Sequence, residues 1–304
     1  MSVAVQVQAV TGRRAGEVAR DYLALTKPRV IVLLEVTAVA AMVMAARGLP
    51  AWNLVLATVT GGWLAAAGAN AINCWFDRDI DSRMGRTRNR PLPAGRIAPR
   101  NALVFGIVLG CGSFLLMAAT VNLLAATLTL TALLFYVFVY TMWLKRSSMQ
   151  NIVIGGAAGA IPPLVGWAAV QGRLDITALY LFAIVFYWTP PHFWALALLV
   201  RGDYERARVP MLPVVAGERS TRYQIVLYTL VLCVVTVLPV LTRGFGTVYA
   251  VGAGLLDVLL LTAAVRTARQ PSARAARRLF YDSMIYLALL FVVMAVDRVI
   301  AGGA

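Results

Sequence analysis

The sequence predicts an all-α integral membrane protein with nine transmembrane helices, and three observations carry that prediction. Of 304 residues, 61% are hydrophobic and 13% charged, whereas soluble domains run near half apolar and a quarter charged. The apolar residues gather in blocks of about 18–24 with almost no charge, the length that crosses a hydrocarbon core of roughly 30 Å. The blocks also lack the short alternating segments of a barrel, and an open strand cannot satisfy its backbone in lipid, so the spans must be helical.

The blocks fall at residues 28–46, 53–76, 101–120, 122–143, 151–170, 177–199, 223–242, 246–266 and 281–300. Residues 1–26 are polar, lack the apolar core of a cleaved signal, and read as a flexible cytoplasmic tail. A short amphipathic piece at 21–25 leads to Pro28, placed to open the first helix. Residues 27–304 form one membrane domain. The fifth block carries Pro162-Pro163 and the sixth Pro190-Pro191. Each pair removes backbone donors and should kink or break its helix, either as a harmless membrane kink or to widen a cavity. Gly155, Gly156, Gly159 and Ala160 allow close helix contact. The three cysteines, Cys74, Cys111 and Cys233, read as small core residues, with no metal or disulfide spacing.

A net charge of +15 could suggest a nucleic-acid partner, but topology explains it and no such partner is expected. With the N-terminus cytoplasmic, 24 of the 28 Lys and Arg residues lie in cytoplasmic segments, leaving Arg47, Arg173, Arg243 and Arg298 opposite. That split follows the positive-inside rule and puts the C-terminus outside a cell membrane. The basic loops are suited to anionic lipid head groups.

The clearest chemical signal runs from Asn70 to Asp81. Asn73, Asp77 and Asp81 are four residues apart, so on a helix they share a face. Asn70 joins it, while Asp79 points away. Oxygen side chains at the end of an apolar helix are costly unless neutralised. Mg2+ is the natural candidate, held by carboxylates plus substrate phosphates. The alternative is a solvated helix end paired to Arg78 and Arg83. Arg86 and Arg90 follow, and arginine forks suit diphosphate recognition. Lys145 and Arg146 end the fourth block. The second long loop holds Asp203, Glu205 and Arg208, with Asp203 placed as a further metal ligand. These basic residues read alternatively as topology anchors. His192, the one histidine, is either packed and hydrogen-bonded or functional. If its helix runs on, His192 and Asp203 face one cavity, about 16 Å apart. Glu35 and Asp257, inside spans, are paired or snorkelling groups, or the ion sites of a polytopic transporter.

Asn70–Arg90 resembles the first aspartate-rich motif of the UbiA superfamily of intramembrane prenyltransferases. More narrowly, the chain is similar to the heme-farnesylating branch. The segments are Leu25-Thr-Lys-Pro-Arg29, Asp77-Arg-Asp-Ile-Asp81, Arg86-Thr-Arg-Asn-Arg90-Pro, Lys145-Arg-Ser, Pro190-Pro-His192-Phe-Trp and Asp203 to Pro213. The superfamily's second motif usually has two aspartates four apart. Here the later position is Ala207, a departure typical of the heme branch.

The resemblance implies a nine-helix bundle around a central cavity, open to the cytoplasmic side. It implies farnesyl diphosphate as donor, heme B as acceptor and heme O as product. Asn73, Asp77 and Asp81 would be catalytic and, with Asp203, would hold Mg2+. Arg86, Arg90, Lys145, Arg146 and Arg208 would bind diphosphate, His192 would orient heme, and Trp75, Tyr140 or Tyr187 would face the carbocation. Heme A synthase or terminal oxidase assembly would lie downstream. A quinone-pathway prenyltransferase, the nearest alternative, would not need His192.

Overall fold

The computed structural model describes residues 14–302. Among these, nine helices are long and apolar enough to cross a membrane. The first helix among the described residues, α1 (Ala15–Thr26), is docked: Leu25 is fully buried, and Asp21 accepts from Arg96 Nε at 3.0 Å. The part of the predicted tail before residue 14 lies outside the described residues.

The first three spans are α2 (Pro28–Ala46), α3 (Trp52–Phe76) and α5 (Pro99–Thr120), with the short α4 (Arg78–Arg83) after α3. The fourth, α6 (Leu123–Ser147), is wound as a π-helix over Phe135–Leu144. The fifth splits into α7 (Asn151–Ala160) and α8 (Pro162–Gln171), and the sixth is α9 (Ile176–Leu199). Short helices α10 (Arg201–Arg206) and α11 (Leu212–Val215) lead to α12 (Gly217–Leu241), α13 (Thr247–Arg269) and α14 (Ala273–Gly302). Neighbouring spans pack in chain order and α14 returns to α2, closing a ring. The fifth and sixth spans are the most enclosed, with 67% and 61% of their most apolar stretch buried, against 22% for α13. Leu255 and Leu259 on α13 are more than 60% exposed, as expected of a face meeting acyl chains.

The two proline pairs behave differently. Pro162-Pro163 opens α8 and ends the regular pattern of α7 at Ile161, whereas Pro190-Pro191 sits inside the continuous α9. The small residues of the fifth span do bring helices together. A Cβ on Gly155 would lie 2.3 Å from Tyr140 Cδ2, and one on Gly156 would lie 2.8 Å from Thr189 Cγ2. Gly159 faces open space. Of the cysteines, Cys74 is buried and Cys233 half-buried, but Cys111 is exposed on the outer face, so it is not a core residue.

Candidate functional site

Chain alternation brings the start of α2 and the ends of α3, α6 and α9 to the same side of the bundle. The carboxylate stripe sits there. Helix α3 ends at Phe76, yet the stripe keeps its helical register. Asp77 N–H donates to the Asn73 carbonyl at 2.9 Å and Asp81 N–H to the Asp77 carbonyl at 2.8 Å. Asn73, Asp77 and Asp81 are all buried, whereas Asp79 turns outward with its side chain 52% exposed.

Each buried carboxylate faces a cation. Asp77 Oδ2 accepts from Lys145 Nζ in a close contact and from Asn73 Nδ2 at 2.8 Å. Asp81 Oδ2 accepts from Arg90 Nη1 at 2.7 Å. Asn73 is the hub: its Nδ2 also donates to Thr141 Oγ1 at 3.1 Å, and its Oδ1 accepts from Lys27 Nζ at 2.7 Å. Asn70 fastens the same face by donating to the Thr26 carbonyl at 3.0 Å. Buried carboxylates are tolerable only when paired in this way.

Lys27 and Thr141 went unassigned at the sequence level. Lys27 occupies the left-handed turn between α1 and α2 (φ 52°, ψ 58°), and its side chain reaches Asn73. Burial pulls its ammonium below the ordinary lysine value, and Arg90 and Lys145 push the same way. Burial also works against the charge on Arg90, but Asp81 outweighs it and lifts the guanidinium above its ordinary value.

Two of the expected site residues are engaged by other protein groups. Arg146 grips Asp79 with both nitrogens, at 2.8 and 2.7 Å, and reaches Asp77 Oδ1 only at 3.5 Å. Its hydrogen bond is the main cause holding the Asp79 carboxyl below the ordinary aspartate value. Asp203, expected to be a metal ligand, anchors the first long loop: it accepts from the backbone N–H of Gly85 at 3.0 Å and Arg86 at 3.3 Å, and from Arg206. Burial would raise its pKa, yet those three donors together hold it below the ordinary value. The two long loops therefore meet. The side chains of Arg86 and Arg208 are exposed, with no partner among the described residues.

The projection of His192 and Asp203 onto one helical face does not hold. Helix α9 ends at Leu199, and Val200 (φ −116°, ψ 23°) redirects the chain into α10. His192 is buried among Trp188, Phe193, Phe280 and Ser283. One face of Trp75 meets the Arg78 guanidinium, 5.5 Å from the ring centroid. Tyr140 lies beside Tyr136 with ring centroids 5.3 Å apart, and Tyr187 lies against Phe186 and Tyr228.

Among the described residues no cluster of three His, Cys, Asp or Glu side chains could hold a metal. The stripe nevertheless fits a hard cation held jointly with phosphate. Asp77 Oδ1 is buried and lacks a hydrogen-bond partner, a condition a divalent ion would relieve. Such an ion needs few protein ligands when the substrate supplies oxygens. The Asn73 oxygen is engaged by Lys27, which leaves Asp77 and Asp81 as the anionic donors. Asp257 is paired within the bundle: its oxygens accept from Thr236 and Tyr286, each at 2.6 Å.

A ring of nine spans with acids and bases paired at one end of α3 defines a polytopic membrane protein of the UbiA fold. A solved digeranylgeranylglyceryl phosphate synthase is similar at TM-score 0.76 and 19% identity, covering 93% of this chain and 99% of that one. A UbiA homolog from Archaeoglobus fulgidus bound to GPP and Mg2+ is similar at TM-score 0.65 and 16% identity, covering 90% and 99%. The chain belongs to the UbiA prenyltransferase family, whose profile matches residues 34–292. It is 54% identical to a protoheme IX farnesyltransferase of Symbiobacterium thermophilum, over 93% of this chain and 96% of that protein. It is 53% identical to one of Roseiflexus sp. (strain RS-1), over 92% of this chain, and spans about half (53%) of that relative's length.

Proposed function

We propose that the protein converts heme B to heme O, using farnesyl diphosphate as donor, in the cell membrane with its site open to the cytoplasm. The single observation carrying the reading is the buried pair Asp77 and Asp81 enclosed by Lys27, Arg90 and Lys145. Its support from relatives is the 54% identity to a protein of that name over nearly its full length.

Mg2+, when bound at Asp77 and Asp81 with Asn73 beside them, would offset the negative charge that the diphosphate gains as it leaves. Arg90, Lys145 and Lys27 would take phosphate oxygens in charge-assisted hydrogen bonds that strengthen as the allylic C–O bond breaks. Arg86 and Arg208, exposed and unpaired among the described residues, would meet the incoming diphosphate first. Tyr140, on the π-helical stretch that precedes Lys145, would offer its ring face to the carbocation. The bond to diphosphate breaks with its electrons, a heme vinyl carbon bonds to farnesyl C1, and water adds to the resulting cation and loses a proton. His192 would orient the heme through its iron. Heme O would then pass to a heme A synthase or to oxidase assembly.

The test incubates purified protein with heme B and farnesyl diphosphate, with and without Mg2+. Heme O, recognised by mass and by the blue-shifted hemochrome of a lost conjugated vinyl, should form only with Mg2+. Asp77→Ala should abolish turnover, and His192→Ala should impair heme use while leaving diphosphate binding intact. Prenylation of an aromatic acid in place of heme would overturn the reading.

A further inference from the structure

His192 is held by a set of contacts that no relative's name accounts for. Its ring lies between Trp188 (centroids 4.4 Å apart, 18° between planes) and Phe280 (4.6 Å, 24°), with Phe193 edge-on at 5.3 Å. Such a stack fixes the ring plane. The rotation about that plane is fixed by Ser283, whose Oγ lies 2.8 Å from His192 Nδ1. Ser283 is itself immobile: it is fully buried, and Trp188 Nε1–H donates to its carbonyl at 2.7 Å.

The donor and acceptor roles at this contact depend on the tautomer of His192. Ser283 Oγ–H donates to the Phe280 carbonyl at 2.8 Å. A hydroxyl has one hydrogen, so toward His192 the oxygen presents only lone pairs. Two facing lone pairs would repel at 2.8 Å, so with the hydroxyl directed to Phe280 it is Nδ1 that carries the proton. In a neutral imidazole Nε2 then carries the free lone pair. Nε2 makes no hydrogen bond to a side chain among the described residues and is not among the enclosed polar atoms left without a partner; the Phe280 backbone also accepts from the ring.

We propose that Ser283 is a positioning residue: it accepts the Nδ1 proton of His192 and thereby presents Nε2 as an axial donor to the iron of the heme substrate. This rests on the proposed heme-binding role of His192. The chemistry follows the general pattern in which a metal-bound imidazole donates its other N–H to a fixed acceptor, which sets its tautomer and raises its basicity. The sequence hides the pair because Ser283 lies 91 residues from His192.

The test titrates ferric heme into the purified full chain in detergent, reading affinity from the Soret band and the axial ligand from near-infrared magnetic circular dichroism. Farnesyl diphosphate binding to each variant reports on folding. Ser283→Ala removes one buried oxygen without adding bulk. It should weaken heme binding roughly 10- to 100-fold, the usual effect of losing such a partner, and erase the imidazole signature while farnesyl diphosphate still binds. Ser283→Thr, which keeps the hydroxyl, should restore the signature. A normal affinity and signature in Ser283→Ala, alongside their loss in His192→Ala, would overturn the Ser283 role alone. A normal signature in His192→Ala would remove the heme reading on which it rests.

Discussion

The Lys145–Asp77 contact supports a prediction that separates stability from catalysis. Asp77 has a side chain 1% exposed, and Lys145 is 13% exposed. Replacing Lys145 with methionine keeps the stem and deletes the charge, stranding a buried carboxylate. Removing one partner of a buried ion pair costs about 3–5 kcal/mol. Two contacts moderate the loss: Asn73 Nδ2 still donates at 2.8 Å, and Arg146 stands 3.5 Å from the other oxygen. The lower end, about 3 kcal/mol, is therefore expected. Adding Asp77→Asn removes the stranded charge and should recover about 2 kcal/mol, within the range of couplings between contacting residues. Stability would be read from reversible unfolding in mixed micelles, and turnover from heme O formation. The double variant should regain stability but remain inactive, because it has lost both a phosphate-binding cation and a carboxylate. Strict additivity of the two destabilisations would refute the pairing argument. Recovery of turnover would refute the catalytic assignment.

Asp203 gives a pH prediction. Its folded pKa lies below the ordinary 3.8, so its contribution is fully present above that value and fades as pH falls through the lower folded pKa. The stability difference between wild type and Asp203→Asn should be constant at neutral and mildly acid pH and vanish only below 3.8. A difference that is already gone at pH 5 would contradict the loop-anchor role. Gly166→Ala would place a Cβ 2.1 Å from the Ala38 carbonyl oxygen, a backbone atom. It should cost about 3 kcal/mol, the upper part of the overpacking range. Gly159→Ala, with nothing within 4 Å, should be neutral or stabilising by up to about 1 kcal/mol. Equal effects from the two in a thermal unfolding assay would refute the close packing of α8 on α2.

The span pattern was legible because membrane thickness sets segment length, a property of short stretches of sequence. The ninth span shows the limit. The sequence reading begins it at residue 281, whereas α14 begins at Ala273. Arg274, Arg277 and Arg278 interrupt the apolar run without interrupting the helix, because such side chains extend to solvent while their backbone stays hydrogen-bonded. The orientation of the Asn73–Asp77–Asp81 stripe, and of Asp79 away from it, was legible from helical period alone. The partners were not. Lys27 meets Asn73 across 46 residues, and Asp203 meets Gly85 across 118. The break at Val200 has no proline to announce it, which is why the straight projection from His192 to Asp203 fails. The π-helical stretch of α6 was equally silent, since its apolar sequence suits either winding.

That π-helical stretch bears on how the site is built. A π turn packs an extra residue into the backbone cycle and rotates whatever follows it. Here it carries Thr141, which accepts from Asn73, and delivers Lys145 to Asp77 and Arg146 to Asp79. Adjacent residues on a regular helix point about 100° apart, yet both cations close on acids of one short segment, 77–79. On the proposed reading these pairings place the positive groups beside the site before the diphosphate enters. When it does, Lys145 and Arg90 would exchange a carboxylate for phosphate oxygens, and Asp77 and Asp81 would hold the divalent ion through the oxygens so released. The acids thus keep the cations buried and ordered, and preorganisation of that kind spares the reorganisation that a solvated site would require as charge develops on the leaving group.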